Sequence, residues 1–138
     1  MSVKLVNPFD DKELLNTLKE FGFDLKKDIK DTELGQSGYN ELMQDLSFDL
    51  ENCKFGAKLH QHENGTLVAY KIRHKDSNRS IGKSKAYRII YIVYLTEEIA
   101  FICHIYHKVS GKKPKSDLSQ SEKDNLNALI DALAQQEE

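Results

Sequence analysis

The segment Tyr70-Lys71-Ile72-Arg73 sets two cations at alternate positions of a stretch with strand character. Side chains two apart in a strand share a face, so Lys71 and Arg73 are expected to point the same way. Arg88 follows Tyr87 at the entry of a second apolar run, and Tyr106, His107 and Lys108 close a third. If these strands are neighbours, the positions converge on one side of a sheet. Cations gathered in this way repel one another unless an anion is their ligand. An RNA phosphodiester is one such anion. Metal-independent cleavage through the 2'-hydroxyl needs a base for that hydroxyl, cations for the crowded phosphorane and an acid for the departing 5'-oxygen. Arg88 suits the second role, because its fork holds two phosphate oxygens and keeps its proton. Lys71 is the candidate base if neighbouring cations draw its pKa down, and Arg73 would then support the transition-state charge. His107 or Tyr106 would deliver the proton, the imidazole titrating near neutrality. Arg79, Lys83 and Lys85 in the polar loop 75–86 fit a phosphate-positioning role with salt-sensitive affinity. The same cations could grip DNA or protein carboxylates with no chemistry at all.

No metal or cofactor is expected. His60, His62 and His74 lie about one hairpin, but no carboxylate or Cys ligand completes a set, and His on a strand edge is commonplace. Gly82-Lys83-Ser84 shares the end of a phosphate-binding loop, yet it lacks the upstream glycine and leads into a strand. His104 reads as a hydrogen-bonded core residue, and Tyr87, Tyr91 and Tyr94 as packing. Cys53 and Cys103 are widely separated and are expected as reduced thiols.

These residues need a scaffold, and the hydrophobic pattern supplies one. Ser2–Val6 reads as a short strand closed by Asn7-Pro8. Asp10-Asp11 opens a helix with Leu14, Leu15, Leu18 and Phe21 on one face and Gly22 at its end. Leu25 and Ile29 suggest a second helical piece, broken around Gly35–Gly38. A further helix runs from about Tyr39 to Leu50. Beyond Gly56 the pattern turns to strands. Two extended runs flank Asn64-Gly65, a hairpin signal. Tyr87–Leu95 and Ala100–His107 are nearly continuous apolar runs, expected as central antiparallel neighbours covered on both faces. Ser119 and Glu122 form a capping box before Leu126, Leu129, Ile130 and Leu133 on one helical face. The expected fold is α+β: an N-terminal strand and helices packed on a twisted antiparallel sheet, with a C-terminal helix.

The chain has 138 residues, which suits a single domain spanning 1–138. It has no 18-residue apolar run and no signal-peptide pattern, so a cytoplasmic protein without membrane contact is expected. The net charge of −2 conceals an asymmetry: residues 51–115 hold 13 Lys or Arg against 5 acids, while the flanking segments each net −5. A basic middle between acidic ends is what a localised polyanion site would produce.

Taken in order, "VNPFDDKELLNTLKEFG", "YKIR", "GKSKAYRIIY", "IYHK" and "DLSQSE" resemble the RelE/ParE superfamily of toxins from bacterial type II toxin-antitoxin systems, its HigB-like branch above all. The specific part runs from about Tyr70 to Leu133. Lys85-Ala86 stands where that family usually has Gly-Gly, Val109-Ser110 replaces its common Asn-Glu, and no tyrosine follows Tyr106. The resemblance implies a toxin that enters the ribosomal A site, cuts mRNA and is masked by a cognate antitoxin. Lys71, Arg73 and Arg88 then match basic active-site positions, Arg88 the one that holds the scissile phosphate, with Lys108 at the strand end. The alternatives are a ParE-like inhibitor of gyrase without nuclease activity, or a nucleic-acid- or partner-binding module of the same fold.

Overall fold

The computed structural model describes residues 2–77, 79–83 and 85–137; Met1, Asn78, Ser84 and Glu138 lie outside the described residues. Five strands form one mixed sheet in the order β1-β5-β4-β3-β2. They are β1 (Lys4–Leu5), β2 (Ala57–Gln61), β3 (Leu67–His74), β4 (Tyr87–Tyr94) and β5 (Ile99–His107). Among the described residues four α-helices accompany them: α1 (Lys12–Glu20), α2 (Leu25–Asp31), α3 (Gly35–Glu51) and α4 (Gln120–Glu137). Among the described residues no helix is long and apolar enough to cross a membrane.

The centre of the sheet is β4, hydrogen-bonded to β3 on one side and β5 on the other, both antiparallel. Ile89, Ile90, Tyr91, Ile92 and Val93 have no solvent exposure, as a strand covered on both faces requires. One face carries Ile72, His74, Tyr87, Ile89 and Tyr91; α3 lies over it, with Leu42 and Leu46 beside Ile72 and His74. The other carries Tyr94 and Phe101, against which α1 and α4 pack: the Tyr94 hydroxyl donates to the Leu133 carbonyl at 3.3 Å.

The edge of β5 is handled in two ways. Its start pairs with β1, in parallel, through Ile99 and Ala100. Farther along, α2 takes over, and a carboxylate oxygen of Asp28 accepts from the Ile105 amide at 3.0 Å. An exposed row of strand donors is thereby closed. The parallel β1 makes the sheet mixed where an all-antiparallel one was expected; a two-residue strand leaves no pattern from which its direction can be read.

α3 also starts earlier than expected, at Gly35, so that Gly35–Gly38 forms its first turn and does not break it. Packing gives the reason: a Cβ on Gly38 would lie 2.7 Å from Leu34 Cδ1. The bare glycine lets Leu34 fold over the turn into the core, and that burial outweighs a helix penalty of about 1 kcal/mol. The capping box forms as expected, Glu122 N donating to Ser119 Oγ at 3.1 Å and Ser119 N to Glu122 Oε1 at 2.9 Å. Cys53 is exposed and Cys103 buried, and no disulfide joins them.

Gly56 leads into β2 at a point of very close approach. A Cβ there would lie 2.3 Å from the Lys71 carbonyl oxygen and 2.5 Å from Ile72 Cγ2. Gly56→Ala is therefore expected to destabilise the fold by about 1–3 kcal/mol in urea unfolding. At Gly82 nothing lies within 4 Å of an added Cβ, so Gly82→Ala should leave stability within about 0.5 kcal/mol of wild type.

Candidate anion-binding face

The β3–β4–β5 register decides which side chains meet. Arg73 pairs with Arg88, and Arg88 with Tyr106. Directly opposed residues share a face, so two arginines and a tyrosine stand in one row across three strands. Lys71 pairs with Ile90 and Ile90 with His104, placing Lys71 and His104 in the next row of the same face. The sheet thus brings Lys71, Arg73, Arg88 and Tyr106 together.

Their surroundings differ. Arg73 is exposed and has no carboxylate partner among the described residues. Arg88 is only 4 % exposed and donates Nη1 to the Lys83 carbonyl at 2.9 Å and the Tyr87 carbonyl at 3.2 Å. Burial, and then the Arg73 guanidinium beside it, draw the Arg88 pKa below its ordinary value. Tyr106 is 2 % exposed, and its hydroxyl has no hydrogen-bond partner among the described residues. Burial, with the Asp117 carboxylate adding to it, pushes this phenol up to about 12, so the proton stays on. A buried hydroxyl without a partner costs roughly 1–3 kcal/mol, which an incoming acceptor would recover.

The connector between β5 and α4 lies over this face. Asp117 approaches Lys71 Nζ at 3.7 Å, and Lys115 Nζ sits 4.9 Å from the centre of the Tyr106 ring. Lys115 also bonds Glu122, the capping residue of α4, and lies 3.0 Å from His104 Nε2. His104 has a carboxylate at each ring nitrogen: Asp28 2.8 Å from Nδ1 and Glu122 3.2 Å from Nε2. This chain of charges ties α2, β5, the connector and α4 together beside the arginines.

The remaining sequence candidates lie elsewhere. His107 is 1 % exposed and pairs with Tyr87, on the opposite face. Its Nδ1 accepts from the Val109 and Ser110 amides, at 3.1 and 2.9 Å, so Nε2 carries the proton and donates to Asp76 at 2.9 Å. Arg79 bonds the same Asp76 at 2.6 Å, and also Glu33, stapling the loop 75–86 to the start of α3. Both residues have local structural work. Asp76 feels burial first, which raises its pKa, but the hydrogen bonds from Arg79 and His107 outweigh burial and lower it. Lys83 and Lys85 are exposed on the loop that holds Arg88, and Lys108 is half-buried just past β5, its amide donating to the Ala86 carbonyl at 2.9 Å. The sequence reading missed the carboxylates of Asp28, Asp117 and Glu122. The capping box pointed to Glu122 only as a helix start.

Comparison with protein-family models, with curated proteins and with solved structures finds no match for this chain.

The His104 cluster sets a pH dependence. Burial lowers the His104 pKa, but hydrogen bonds to Asp28 and Glu122 prevail and raise it above 6.5. Its stabilisation is then complete below about pH 6.5 and fades as pH climbs through the folded value. Glu122 is held well below its ordinary 4.5, by His104 above all, so its contribution is present above that value and is lost only in strong acid. His74, its pKa lowered by burial, works in the opposite sense near neutrality. The difference between wild type and His104→Gln isolates the cluster: unfolding free energies measured from pH 5 to pH 9 should show the wild-type advantage shrinking as pH rises past about 6.5.

Proposed function

We propose that this protein is a toxin of the RelE/HigB type, an mRNA endonuclease acting on the translating ribosome and neutralised by a cognate antitoxin. The observation that carries the reading is the row Arg73–Arg88–Tyr106 with Lys71 beside it, four groups on one face with the polarity that phosphodiester cleavage needs. The ribosomal setting and the antitoxin rest on the sequence resemblance alone.

On this reading the arginines hold the non-bridging oxygens of the scissile phosphate, and their charge stabilises the phosphorane. Lys71, released from Asp117 and in its neutral form, accepts the 2'-hydroxyl proton as the 2'-oxygen bonds to phosphorus. The Tyr106 hydroxyl gives its proton to the 5'-oxygen as the P–O5' bond breaks. The products are a 2',3'-cyclic phosphate and a 5'-hydroxyl end. A phenol near 12 is a weak acid toward water but suits a strongly basic leaving alkoxide.

The test is a translating extract supplied with purified protein, with the 5'-ends of transcripts mapped. Wild type should cut within translated codons. Arg73→Ala, at an exposed position, should lose about 10²–10³-fold in rate with the fold intact. Tyr106→Phe should lose about 10²–10⁴-fold while its stability holds or rises by about 1 kcal/mol, since it removes only an unsatisfied hydroxyl. Intact transcripts with wild type, or both variants cutting at the wild-type rate, would defeat the nuclease reading. Growth arrest that persists in Arg73→Ala with transcripts uncut would instead favour the gyrase-inhibitor alternative.

A further inference from the structure

A second cluster lies between α3 and the end of β3, on the sheet face opposite the arginine row. Glu41 and Asp45 are one turn apart on α3, so their carboxylates share a face. His74, the last residue of β3, has its Nδ1 3.9 Å from an Asp45 carboxylate oxygen. One ligand atom from each of the three residues lies within 4.8 Å of the others.

Two acids on a helix are ordinarily just a solvated surface. The imidazole makes this place different. Only 9 % of the His74 side chain is exposed, and neither ring nitrogen has a hydrogen bond among the described residues.

We propose that Glu41, Asp45 and His74 form a binding site for a first-row divalent cation of the Zn²⁺ class, bridging α3 to the end of β3. Imidazole nitrogen and carboxylate oxygen are both zinc donors, and water would complete a tetrahedron around these three. The nitrogen donor disfavours Mg²⁺ and Ca²⁺, which prefer all-oxygen shells. Bonds of about 2.1 Å set tetrahedral ligand atoms about 3.4 Å apart. The present spacing closes by rotation of the Asp45 and Glu41 side chains, which are 58 % and 44 % exposed. Lys75 is the built-in competitor, its Nζ 3.9 Å from Glu41.

The experiment is calorimetric titration with ZnCl₂ and thermal unfolding with and without it, on the full chain carrying Cys53→Ser to remove the exposed thiol. One equivalent should bind and raise Tm. Asp45→Ala, at an exposed position, should weaken binding by about tenfold or more. Lys75→Ala should tighten it severalfold, and His62→Gln should leave it unchanged. Zinc that fails to raise Tm, or that binds Asp45→Ala as tightly as the parent, overturns the proposal.

Discussion

The register between β3 and β4 is the constraint on which the rest of the structure depends. Arg73 faces Arg88 because Ala69 faces Ile92 and Leu67 faces Tyr94, pairs whose burial fixes the alignment of the two strands. A slip of one residue would turn every side chain of β3 to the other face, driving Lys71 and Arg73 under α3 and exposing Tyr70 and Ile72. The hydrophobic core therefore holds two like charges side by side against their repulsion. Burial first and that repulsion second lower the Arg88 pKa, and the repulsion favours the arrival of an anion. The orphan hydroxyl of Tyr106 in the same row acts in the same direction.

Charge bookkeeping around this face separates supporting residues from reactive ones. Asp76 collects Arg79 and His107, and Glu122 collects Lys115 and His104; both carboxylates are satisfied and both organise loops. Asp117 is different, because it is 54 % exposed and meets Lys71 only at 3.7 Å. An exposed ion pair of this kind is worth little and is easily exchanged. The connector that carries it thus covers the cations loosely, whereas the Asp28–His104–Glu122 cluster anchors the connector's end to the fold.

Much of the scaffold was legible because it is periodic. β4 and β5 announce themselves as unbroken apolar runs, α1 by its Asp11 cap and spacing of leucines, α4 by its capping box. The shared face of Lys71 and Arg73 followed from alternation alone. What was not legible depends on contacts between distant segments. The parallel pairing of β1 with β5 joins residues nearly a hundred positions apart, through a strand too short to carry a pattern. His107 looked reactive because its type titrates near neutrality, yet its two amide donors and Asp76 come from the turn after it and a loop before β4. His74 was set aside because no carboxylate or Cys completed a ligand set in the sequence; the acids beside it come from α3, some thirty residues upstream.

The claim that most needs testing is that the row across β3, β4 and β5 is where RNA sits. The direct measurement is an NMR titration of isotope-labelled protein with a short 2'-O-methyl RNA, which binds but is not cut. The account predicts saturable shifts in the Arg73 and Arg88 guanidinium signals and the Tyr106 ring, weakening as salt is added, while Ile72 and His107 on the reverse face stay still. Shifts confined to that reverse face, or arginine signals that never move as RNA is added, would contradict it.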